Sequence, residues 1–177
     1  AEAVDTGLNR ILSSWGMEIG QNVVADARCF SSMPLRRGPI AMPVPYPPWP
    51  VVAFDEAERE HPVLFRLPHS VFMWPSNVRV TDRFSELGGR VLAHTSGDDT
   101  PSWLMSGAQI QLQPRGPREW EARADGPHNL MVALEGQLPN AFASADLSSS
   151  SDAPEEGAGD IEAPAQSQGE ARVLVVG

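Results

Sequence analysis

Leu8, Ile11, Leu12 and Trp15 fall at i, i+3, i+4 and i+7, one face of a 3.6-residue helix. Asp5 or Thr6 is available to cap its first turn, and Gly16 follows Trp15 to close it in the left-handed conformation. Met17 and Ile19 then alternate, Gly20 and Gln21 make a turn, and Asn22-Val23-Val24-Ala25 reads as a short buried strand ending at Asp26. A helix feeding an apolar strand through a short glycine turn predicts an α/β fold with a mostly parallel sheet. No other stretch constrains the architecture as strongly, and it carries no function by itself.

Charge narrows the function classes. The 177 residues carry a net charge of −10. Residues 147–170 hold six acids (Asp152, Glu155, Glu156, Asp160, Glu162 and Glu170) and no base, which leaves −4 for the rest. Neither part has the basic stripe that neutralises phosphates, so nucleic acid is not an expected partner. All 13 basic residues are arginine, which reads as genomic base composition before function. No run approaches the roughly 20 apolar residues that span a bilayer, so any membrane attachment comes from outside this segment.

Composition also divides the chain. Residues 1–146 form the expected α/β body. Residues 147–170, rich in Ser, Ala, Pro and Glu, hold too little apolar surface to offset the entropy of ordering and are expected to be a disordered linker. Residues 171–177, ARVLVVG, return as an apolar core strand. Ending on such a strand makes the chain look like a segment of a larger domain.

Within the body, residues 30–50 carry seven prolines and read as a rigid extended loop. Its Tyr46-Pro47-Pro48-Trp49-Pro50 core is either a polyproline ligand for a partner or a crossing loop that packs its aromatics on the core. Residues 51–54, 70–74, 77–83 and 129–135 read as extended pieces, the last being the clearest strand of the second half, and residues 87–96 as a turn followed by a central strand. Residues 102–105 read as a helical turn, and residues 114–127 as a surface loop or hairpin.

The chemistry-bearing residues are sparse. Cys29 is the lone cysteine, and its Ala-Arg-Cys-Phe setting lacks the glycine-flanked turn that exposes a nucleophile. His61, His69, His94 and His128 show no metal-ligand spacing, and Ser96 lacks a G-x-S-x-G elbow. No P-loop or dinucleotide fingerprint is present, so neither a cofactor nor a catalytic residue is expected. Asp98 and Asp99 match no calcium loop. In a parallel sheet, ligands sit beyond the carboxyl ends of the strands. Asp26 and Arg28 lie at one such end, and Ser96 and Asp98 follow another. These four, with Tyr46 and Trp49, are the candidate ligand or partner contacts; a local Asp26–Arg28 ion pair is the simpler alternative.

Several stretches together resemble the auxiliary, substrate-binding component of ABC transport systems, the family of the gliding-motility-associated transporter protein. They are LNRILSSWGMEIGQNVVAD, YPPWPVV, HPVLF, SVFMWPSNV, VLAHTS followed by SW, LMVALEG with nearby Phe142, and RVLVVG. The resemblance implies a fold related to class I glutamine amidotransferases without the catalytic cysteine, similar to a domain of an intraflagellar-transport subunit. It further implies a non-enzymatic module at the extracytoplasmic (periplasmic) face of a bacterial inner membrane, with the transporter's membrane and ATPase subunits as partners. A protein–protein scaffold is the alternative function, and an amidotransferase-like or hydrolase enzyme a second.

Overall fold

A computed structural model describes residues 7–97, 99–142 and 164–177. Its helices and strands, in chain order, are α1 (Leu8–Ser14), β1 (Met17–Ile19), β2 (Asn22–Asp26), β3 (Cys29–Arg37), β4 (Ile40–Ala53), β5 (His69–Val71), β6 (Val78–Val80), α2 (Asp82–Glu86), β7 (Arg90–His94), β8 (Ser102–Ser106), β9 (Asn129–Gly136) and β10 (Ala171–Val176). The sheets are small, ordered β1-β6, β2-β8, β3-β4-β5 and β10-β9-β7.

The expected parallel, amidotransferase-like α/β sheet is overturned. β2 with β8, β3 with β4, β4 with β5, and β7 with β9 all pair antiparallel. A parallel pair needs a crossover of a dozen or more residues, usually a helix. Here α1 and α2 are only 7 and 5 residues long. The apolar run in β2 that looked like a doubly covered parallel strand is instead buried opposite Trp103 and Met105 of an antiparallel neighbour.

The proline-rich stretch is also corrected. It is not an irregular loop but the β3–β4 hairpin, registered from Arg37↔Ile40 through Pro34↔Pro43 to Cys29↔Pro50. Proline's fixed φ is compatible with extended chain, and facing Pro34 against Pro43 spends two missing donors on one rung. Gly38, at φ 65, supplies the left-handed first position of the two-residue turn. Residues 102–105, expected as a helical turn, belong to β8.

The chain divides into two compact units, one of residues 1–18, 80–89 and 134–173, the other of 19–79, 90–133 and 174–177. In the first unit Leu12, Met17, Phe84, Leu134 and Leu138 are buried. Only Leu12 of the predicted α1 stripe is fully covered; Leu8 is 44% exposed, and Trp15 donates its indole N–H to the Pro139 carbonyl at 2.9 Å. Gly7 stands at the N-cap of α1, while Asp5 and Thr6 lie outside the described residues. Gly16, at φ 75, sits so close to α2 that an added Cβ would lie 2.6 Å from both the Phe84 amide nitrogen and Thr81 Oγ1. Residues 165–167 run beside 138–140, joined by Asn140 N–H to Ala165 O and Ser167 N–H to Leu138 O at 2.8 Å each. Of the expected linker, residues 147–163 lie outside the described residues.

The second unit holds the larger core. Val24 of β2, Phe54, Leu64, Phe72, Leu92 and Ala93 of β7, and Leu130, Met131 and Ala133 of β9 form one buried cluster. Ala25, Trp103 and Met105 form another, with Val23 and Trp120 packed against it. The alternation in β8 explains this: Trp103 and Met105 share the buried face, as a period of two requires.

Candidate functional site

The second unit contains two groups of residues that bear on function. The first surrounds Asp26, which ends β2 opposite Ser102 of β8 and is only 1% exposed. One carboxylate oxygen accepts the Arg28 amide at 2.7 Å and the other accepts the Ser96 amide at 2.6 Å. The Arg28 side chain, exposed to solvent, takes no part, so the expected ion pair is replaced by an Asx-type loop closure. Thr95 Oγ1 donates to Ser102 Oγ at 3.0 Å and accepts the His128 amide at 2.8 Å, while Ser102 Oγ donates to the Ser96 carbonyl at 2.8 Å. The His128 ring turns to Asp125 Oδ1 at 3.0 Å rather than to a hydroxyl. Gly126 passes so close that an added Cβ would collide with Ser102 Oγ.

The sequence sets Asp26 and Ser96 at the ends of two strands, as candidates to converge on a ligand. The geometry shows that they converge on each other: the acid is consumed by two backbone amides. Asp98 lies outside the described residues. Cys29 follows in β3; burial pushes its thiol above the ordinary 9.0, a hydrogen bond from the Tyr46 backbone opposes this, and the Asp26 charge adds to it. A thiol held protonated is a poor nucleophile.

The second group is aromatic. Tyr46, 1% exposed, lies in β4 with Pro47, Pro48 and Pro50 buried around it. Trp49 meets Phe30, Tyr46 and Trp74 at centroid distances of 5.4, 5.6 and 5.3 Å. The Tyr46 hydroxyl donates to the Leu112 carbonyl and accepts the Trp74 indole N–H at 3.1 Å. The segment is thus built inward, and its anchors are not displayed as a polyproline ligand displays them.

Tyr46 also meets Trp120 edge-on at 5.9 Å, and Trp120 leads to a cleft that the sequence did not single out. About 250 Å³ in volume, it is lined by Trp103, Leu104 and Met105 of β8 and by Gln111, Arg115 and Trp120, among others. Arg115 covers the Trp120 ring at 5.5 Å. The Trp120 indole nitrogen is buried and has no hydrogen-bond partner among the described residues. The alternation of Trp103 and Met105 was the available signal. Residues 114–127 looked like plain loop because Trp120 stands alone among polar and turn residues.

Among the described residues no group of three or more His, Cys, Asp or Glu side chains is placed to hold a metal ion. Among them, no helix is long and apolar enough to cross a membrane.

Comparison with known proteins supplies the family. The chain belongs to the family described as ABC-type uncharacterized transport system, whose profile matches residues 1–177. It is an auxiliary component of an ABC transport system, which implies association with that system. No curated protein and no solved structure matches the chain.

Proposed function

We propose that the chain is a non-enzymatic binding module of its transport system, acting at the extracytoplasmic face of a bacterial inner membrane and serving a transporter of the gliding-motility type. The observation that carries the non-enzymatic reading is the Asp26 carboxylate, whose two oxygens are both taken by backbone amides. The Asp26 carboxylate and the Thr95 and Ser102 hydroxyls are spent on holding loops, whereas the cleft beside Trp120 retains a buried donor without an acceptor. Its aromatic lining with a few polar groups has the character of a ligand site.

The partners under this reading are the membrane and ATPase subunits of the transporter. Purifying the full-length protein from its native membrane tests it: those subunits co-purify if the reading holds. Recovery without them, or protein confined to the cytoplasm, overturns it. Hydrolytic or amidotransferase turnover lost on Cys29→Ala or Ser96→Ala would overturn the non-enzymatic part.

A further inference from the structure

The outer edge of β8 has an opening that the ladder itself reveals. Val24 faces Leu104 in the β2–β8 register. The Val24 amide turns away from β8 and donates to the Pro75 carbonyl at 2.7 Å. In an antiparallel ladder both backbone groups of a residue point to the same side, so Val24 and Leu104 form a non-hydrogen-bonded pair. The N–H and C=O of Leu104 therefore point away from β2. Ser102, two residues earlier, obeys the same phase: its carbonyl accepts the Asp125 and Gly126 amides, each at 3.1 Å.

Beyond Ser102 no described strand pairs with this edge. β8 pairs with β2 alone among the described strands, and the outward groups of Leu104 have no backbone partner among the described residues. Trp103, Leu104 and Met105 line the cleft together, as consecutive residues do when a cleft follows a strand edge. Exposed edges of this kind are templates for another strand.

Two side chains specify what the added strand carries. The buried Trp120 indole N–H needs an acceptor, and leaving such a donor unpaired is costly. Arg115 has no carboxylate partner among the described residues, whereas Arg37 pairs with Glu119 at 3.3 Å and Arg123 with Glu121 at 3.6 Å. We propose that the β8 edge receives an extended, acidic peptide segment of a partner protein. It pairs with the Leu104 backbone, presents an oxygen to the Trp120 indole and sets a carboxylate against Arg115. Strand addition draws affinity from main-chain bonds and specificity from flanking side chains. This inference rests on the binding-module reading and names its ligand class.

The test is amide hydrogen exchange on the full chain, with a pool of heptapeptides that alternate β-branched residues around a central aspartate. Exchange at the Leu104 amide slows by about tenfold or more, a modest protection for one added hydrogen bond. The Trp120 indole resonance shifts with it. A fully N-methylated pool, which lacks the donors, has no such effect. Arg115→Gln lowers the melting temperature only slightly, through the lost contact with the Trp120 ring, and weakens binding by roughly tenfold, the loss of one charge-assisted contact. Unchanged exchange at Leu104, or equal slowing by the methylated pool, overturns the proposal. Protection that rises with protein concentration alone assigns the edge to a second copy and overturns it too. A Trp120 response to other ligands without protection at Leu104 overturns the peptide but leaves the binding-module reading standing. Failure to co-purify with the transporter would strike that broader reading instead.

Discussion

Asp26 and Ser96 stand 70 positions apart in the chain, and the Asp26 carboxylate accepts the Ser96 amide at 2.6 Å. That bond fastens the segment after β7 to the end of β2. The other carboxylate oxygen closes the turn into β3 through the Arg28 amide. A buried acid with both oxygens so engaged acts as a clasp between loops.

Replacing Asp26 by Ala leaves two amides without their acceptor. A buried unsatisfied donor costs about 1–3 kcal/mol, and these two amides are only part-buried, so the expected loss is roughly 2 kcal/mol. Asp26→Asn keeps one acceptor oxygen and is expected to lose less. Urea unfolding of the three proteins checks this. A loss below about 0.5 kcal/mol for Asp26→Ala, the range of ordinary surface changes, would show that the clasp is not structural.

Tyr46→Phe removes the donor to the Leu112 carbonyl and the acceptor of the Trp74 indole together. Both losses lie at a residue with 1% exposure, so the expected destabilisation is about 2 kcal/mol. Trp74 fluorescence shifts to the red in the same variant as its indole gains water. An unchanged midpoint and spectrum would contradict the account of the aromatic cluster.

Cys29 gives the chain a pH dependence of known sign. Burial raises the folded thiol above the ordinary 9.0, so the folded state holds that proton more tightly than the unfolded chain. The corresponding stability is complete below the ordinary thiol value and is lost as pH rises through the raised one. Melting temperature is therefore expected to fall on the alkaline side of 9.0, with that component absent in Cys29→Ala. Maleimide labelling of the folded protein is slower than that of the unfolded chain at the same pH. Faster labelling in the folded protein would mean an activated thiol.

The sequence was legible where local pattern and tertiary structure agree. Residues 129–135 read as a strand and became β9, and residues 171–177 read as one and became β10. It misled where one pattern has two solutions. The apolar run in β2 suits a parallel strand covered on both faces as well as an antiparallel one covered by Trp103 and Trp120, and only the partner decides. Prolines 34 and 43 looked like loop because proline removes donors, yet their pairing in the β3–β4 hairpin makes those missing donors harmless. Asp26 and Ser96 both stand out in the sequence as polar residues at strand ends, but the bond between them depends on which strands are neighbours, which local pattern does not report. The alternation of Trp103 and Met105 marks part of the cleft, but its open backbone groups belong to Leu104, and no side-chain pattern reports an unpaired strand edge.

The central claim is that this chain serves its transport system as a binding module through the cleft beside β8. A photoreactive benzophenone residue placed at Gln111, an exposed residue lining that cleft, tests it in native membranes with the full-length protein. Irradiation is expected to give one discrete adduct with a component of the transport system, greatly reduced by Arg115→Gln. Absence of any adduct from Gln111, while the same probe on an exposed residue such as Arg28 captures the transporter, would contradict the claim.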